Sequence, residues 1–142
     1  MKFSFFLIIP LFISITSFSQ TTTFRFKSDS LRIVLKDQTG EFIDVGGWQK
    51  FLSVVVIDKS TNKINFLTDI VRYVDIIKTH NEYKDKNGFT WLIWNCVDDE
   101  AEICKVRLVY DPNETSKNIS AYLYIDYTDH TKQFQLKLDS VN

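Results

Sequence analysis

The chain has 142 residues, with 17 Lys+Arg against 18 Asp+Glu, 44% hydrophobic and 15% aromatic, and only 4 Gly and 2 Pro. This is the length of one ordinary domain, too apolar for a disordered tail and too balanced in charge for a nucleic-acid binder working through a basic surface. Two Cys exclude a disulfide-dense scaffold and every multi-Cys zinc motif.

The first segment, MKFSFFLIIPLFISITSFSQ, reads as a secretory signal peptide. Lys2 supplies the positive start, and Phe3 to Phe18 is an apolar run broken by hydroxyl residues and Pro10. Ser17 and Ser19 are small residues at the spacing a signal peptidase requires. Cleavage after Ser19 leaves residues 20–142 as a single domain. The run is short for a spanning helix, so no membrane span is expected after cleavage. The expected destination is the periplasm, the outer envelope or the medium.

From Thr22 onward, apolar and polar residues alternate, and β-branched and aromatic types dominate. The expected strands are Thr22–Lys27, Leu31–Asp37, Phe51–Asp58, Lys63–Thr68, Ile70–Thr79, Phe89–Val97, Glu102–Tyr110, Ile119–Tyr127 and Lys132–Leu138. Turn chemistry separates them, as at Thr39-Gly40, Asp58–Asn62, Lys84–Gly88 and Asp98–Glu100. Residues 69–79 also fit a helical face, and their β-branched content favours strand. Spacings this short leave no room for crossover helices. The expected class is therefore all-β, a single antiparallel meander of eight or nine strands closed as a barrel or folded as a sandwich.

Two hairpins can be given registers. A turn centred on Glu100 sets Cys96 opposite Cys104, Trp94 opposite Val106, Leu92 opposite Leu108 and Thr90 opposite Tyr110. One face is then continuously apolar, and a slip of one residue would set Trp94 against Lys105 or Arg107. In the last hairpin, with Asp129 and His130 in the loop, Ile125 faces Phe134, Leu123 faces Leu136 and Ala121 faces Leu138. At a non-hydrogen-bonded pair, opposed Cα atoms lie roughly 4.5 Å apart, within reach of a disulfide. An export signal together with this register predicts a Cys96–Cys104 bridge.

Catalytic chemistry is hard to find. His80 and His130 sit in polar loops with no second ligand at metal spacing, and no nucleophile elbow or phosphate-cradling loop occurs. Asp98, Asp99, Glu100 and Glu102 make an acidic tip without the alternate ligands of a calcium loop. Asn113-Glu-Thr and Asn118-Ile-Ser match glycosylation sequons, which matter only in a eukaryotic host. No catalytic residue, metal site or cofactor is therefore assigned. Trp91 shares the second face of the disulfide hairpin with Phe89, Ile93 and Val109, beside Arg107. Tyr122 and Tyr124 lie on the outer face of the next strand. Trp91, Arg107, Tyr122 and Tyr124 are the candidate ligand-binding residues.

Gly46-Gly47-Trp48 has the G-x-W form seen in lipocalins, over three residues and without a second lipocalin motif. The segment from Trp48 to Phe134 resembles small exported proteins of flavobacteria, through VVVIDKSTNKI, the Tyr73, Ile76 and Ile77 strand, WNCVDDEAEIC and YLYIDYTD. That group carries no assigned function, so the resemblance implies none. The expectation is a non-enzymatic binding module for an apolar molecule or a sugar. The alternative is a structural or interaction protein using a strand edge or the Tyr face. No nucleic acid is expected as a partner. A carrier of apolar ligands requires an internal cavity of several hundred cubic ångströms along the Leu92, Trp94 and Leu108 face.

Overall fold

The computed structural model describes residues 23–68, 71–114, 120–128 and 132–140. The expected signal peptide, His130 and the Asn118 sequon lie outside the described residues. Ten strands follow in chain order: β1 Thr23–Lys36, β2 Phe42–Asp44, β3 Gln49–Asp58, β4 Lys63–Phe66, β5 Tyr73–Thr79, β6 Tyr83–Lys84, β7 Thr90–Asp98, β8 Ile103–Tyr110, β9 Ser120–Tyr127 and β10 Lys132–Ser140. Every pairing is antiparallel. The order β10-β9-β8-β7-β5-β4-β3-β1 returns on itself through β10–β1, so eight strands close a barrel. The short β2 and β6 attach to β1 and β7.

Closure depends on β1. Two strands were expected here, separated at Ser28–Ser30, but one strand runs through the break. The register shifts between Lys27 and Ser30 against β10 and between Ser28 and Ser30 against β3, which is a β-bulge. Ser28 Oγ donates to the Ser30 carbonyl at 3.1 Å, and Ser30 Oγ donates to Asp29 Oδ1 at 2.6 Å. The Ser28 hydroxyl thus supplies a donor to a backbone carbonyl within the bulge. A bulge bends and twists a strand. Here it lets β1 pair with β3 on one side and β10 on the other, which decides between barrel and sandwich.

Both expected registers occur residue for residue. Thr90, Leu92, Trp94 and Cys96 face Tyr110, Leu108, Val106 and Cys104. Ala121, Leu123 and Ile125 face Leu138, Leu136 and Phe134. The inward residues of β7 to β10, with Val55, Ile57, Ile64, Phe66 and Val74, form one core. The end of the barrel reached by Phe51, Phe66, Val71 and Phe134 is packed down to a void of about 20 Å³.

Three turns share one construction that follows from their sequences, DQTGE, DKNGF and DDEAE. Asp37, Asp85 and Asp98 each accept at their carbonyl from the residue three further on, and donate their own N–H to the carbonyl four further on. Each carboxylate also accepts the N–H groups two and four residues on. The fourth residue must then be left-handed. Gly40 and Gly88 take φ of 85° and 88°, but the third turn has Ala101 at 66°. A Cβ in that region costs about 1–2 kcal/mol, offset in part by the greater unfolded-state freedom of Gly. Ala101→Gly is therefore expected to raise stability by about 0.5–1 kcal/mol. The check is a higher urea midpoint at unchanged slope.

Candidate functional site

Alternation along the strands carries Phe24, Phe26, Ile57, Leu92, Trp94, Leu108 and Ala121 to the inside of the barrel, at the end opposite the packed one. There they line a cavity of about 340 Å³. The residues come from β1, β3, β7, β8 and β9, so no single hairpin encodes the site. Leu92, Trp94 and Leu108 are the face along which a carrier of apolar ligands was expected to need a cavity. The rim is polar. Lys59 and Glu82 reach it from loops, and Tyr110 stands there at the last position of β8. Lys59 Nζ sits 5.1 Å from the centre of the Phe24 ring. Burial pushes the Tyr110 phenol above its ordinary value, and the Glu82 carboxylate acts in the same direction. Tyr110 thus stays a neutral hydroxyl at the mouth.

The candidate residues named from the sequence come together elsewhere, on the outer wall. Trp91 is flanked by Tyr83 from β6 and Tyr124 from β9, with ring centres 6.2 and 6.3 Å away and planes within 5° and 15° of parallel. Arg107 Cζ lies 5.1 Å from the Tyr124 ring centre and 5.9 Å from that of Trp91. Arg107 Nε donates to Asp126 Oδ2 at 2.8 Å, and Gln133 Nε2 donates to the other oxygen of that carboxylate. The indole N–H of Trp91 donates to Asp85 Oδ2 at 3.0 Å, which leads the effects holding the Asp85 carboxyl below the usual aspartate value. The Trp91 ring is thus flanked by two near-parallel tyrosines, and its N–H and the Arg107 guanidinium are engaged within the protein. Tyr122 stands apart from this stack. It meets Trp48 at 6.3 Å and lines a second recess of about 190 Å³ with Asp85, Phe89, Trp91, Val109 and Tyr110. Trp48, of the G-x-W triplet, lies on the outer wall beneath Lys137 Nζ at 4.5 Å.

The disulfide expectation is corrected. Cys96 and Cys104 are opposed in register and buried, yet both are free thiols. The physical reason is the phase of the ladder. Asp98 N–H donates to the Glu102 carbonyl at 3.0 Å, so that pair is hydrogen-bonded. Alternation then makes Cys96–Cys104 hydrogen-bonded as well, not the closer type. Opposed Cβ atoms of such a pair stand near 5.5 Å, beyond the roughly 3.5–4.5 Å that a disulfide spans. Burial pushes both thiols up to about 12, with each Cys104 neighbour, Cys96 first, adding to the effect on that residue. The expected outcome of maleimide labelling without reductant is no adduct on the native protein and two after denaturation. No adduct in either state would show a bridge.

No known protein family, curated protein or solved structure matches this chain.

Of the remaining groups, His80 Nε2 lies 3.1 Å from Asn95 Oδ1 and ties its loop to β7. Asp98 is not part of an exposed acidic tip; it is 7% exposed and anchors its turn from within. No three His, Cys, Asp or Glu side chains converge on one point among the described residues. Sequence reasoning missed Phe24, Phe26, Ile57, Ala121 and Tyr110 as site residues. Their inward phase was readable, but which inward residues stay uncovered depends on how five strands meet. Lys59, Glu82, Tyr83 and Asp85 carried no signal, because loops deliver all of them except Tyr83 on its two-residue strand.

Proposed function

We propose that this chain is an exported, non-enzymatic β-barrel binding module that holds a small apolar ligand in the cavity behind Tyr110. One observation carries the reading: the void of about 340 Å³ at one end of a barrel whose other end packs to about 20 Å³. Native interiors have few voids larger than a water molecule. This one equals about eleven times the roughly 30 Å³ share of a water. Its walls are Leu, Ile, Phe, Trp and Ala side chains, and its few polar groups stand at the mouth, which is the layout of a small-molecule site. An apolar ligand is favoured over a sugar stacked on Trp91, because Tyr83, Tyr124 and Arg107 already crowd that ring and Asp85 takes its N–H. The apolar run from Phe3 to Phe18 supports export.

The test uses the neutral fluorescent probe N-phenyl-1-naphthylamine. The wild-type protein is expected to bind it one to one. Ala121→Phe projects a ring into the cavity and is expected to weaken binding at least tenfold with an unchanged circular dichroism spectrum. Equal binding by both proteins would sink the reading.

An interaction role has its own supporting observation. Leu35, Phe42, Ile43 and Val45, on and beside β2, are between 40% and 56% exposed. β2 is paired on one edge only among the described residues. A strand edge flanked by exposed apolar side chains suits addition of a partner strand.

A further inference from the structure

Tyr110 is shared by two apolar recesses. From the inside it lines the cavity with Leu92, Trp94 and Leu108. From the outside it lines the recess of about 190 Å³ with Phe89, Trp91, Val109 and Tyr122. The two spaces lie on opposite faces of the β7–β8 hairpin and share Tyr110 at its rim. The outer recess has its own unexplained cost, since the aromatic side chains of Phe89 and Tyr122 are each 40% exposed beside it. Trp91, held between Tyr83 and Tyr124 and by its N–H to Asp85, gives that recess a fixed wall.

We propose that the two recesses form one bent site and that the ligand is an unbranched apolar chain longer than the cavity. Its tail lies against Trp94 and Leu108. The remainder crosses Tyr110 and lies against Phe89, Val109 and Tyr122. A compact ligand can fill either recess but not both, whereas a flexible chain can turn over a barrel rim. The inner space of about 340 Å³ holds a chain of roughly a dozen carbons. The outer one is open on one side, so each carbon laid there loses less water contact. The neutral Tyr110 hydroxyl sits at the bend, where it can meet a polar group within the chain or remain in contact with water. This assignment rests on the cavity being a ligand site.

The experiment is a chain-length series, 1-octanol to 1-hexadecanol, read by displacement of the fluorescent probe. Full burial gives about fourfold in affinity per methylene, from about 0.8 kcal/mol each. The wild-type protein is expected to show that slope up to about 1-dodecanol and a further rise of roughly twofold per methylene beyond it. Phe89→Asp and Tyr122→Asp, both at exposed positions, are expected to abolish the second rise and keep the first. A wild-type plateau at the same chain length as the variants overturns the bent site and leaves the cavity reading standing. Failure of every alcohol to displace the probe, 1-octanol included, overturns the cavity reading itself.

Discussion

Trp94→Ala is expected to lower the unfolding free energy by about 3–5 kcal/mol. Trp94 is 2% exposed, faces Val106 across the β7–β8 ladder, and stands between the open cavity and the packed half of the core. Its removal would extend the cavity into that half, so the lost contacts are not recovered by collapse. A domain of this size commonly holds about 5–15 kcal/mol in total. The variant therefore approaches the folding threshold, and Trp94→Phe should fall between it and wild type. Urea unfolding followed by circular dichroism checks this. A loss under about 1 kcal/mol would mean that the indole is not an interior group.

The second large effect belongs to Asp98. Its Oδ1 accepts the N–H groups of Glu100 and Glu102 at 3.0 and 2.8 Å, and its Oδ2 accepts the Tyr127 hydroxyl at 2.9 Å. Burial, reinforced by this carboxylate, raises the Tyr127 phenol, which therefore remains a donor. Asp98→Ala removes the acceptor for three donors at once, one of them on a buried ring. The expected loss is about 2–4 kcal/mol. Tyr127→Phe removes one donor and leaves the carboxylate its two turn contacts, for about 1 kcal/mol. If the contact is real, the double variant should cost less than the sum of the singles, and strict additivity would contradict it.

The inside and the outside of β7 to β10 were legible because each strand alternates sharply enough that a one-residue slip buries Lys105 or Arg107. The same alternation put Trp91 and Arg107 on the outer face of their hairpin and Tyr124 on that of the next strand, while the closeness of the three rests on the pairing of β8 with β9. What alternation does not carry is the hydrogen-bonding phase of a ladder. That phase is set by the turn, where Ala101 adopts a left-handed conformation and the Asp98–Glu102 pair closes a three-residue loop. Register alone therefore paired the cysteines correctly and bridged them wrongly. The Ser28–Ser30 segment was expected as a break because the polar run Lys27–Ser30 interrupts the alternation, which a bulge does equally. β2 and β6 are too short for any period to register. The cavity wall was readable in part, at Leu92, Trp94 and Leu108, while the emptiness in front of it is a property of the closed barrel and of no segment.

In the proposed binding mode an apolar ligand enters the barrel at the Tyr110 end and nowhere else. Methyl NMR spectra recorded during titration with 1-octanol test it most directly. Saturable shifts of Ile57, Leu92 and Leu108 are expected, with Leu31, Ile125 and Leu136 at the packed end unmoved. Shifts centred on the packed end, or none at the first three residues, would contradict it.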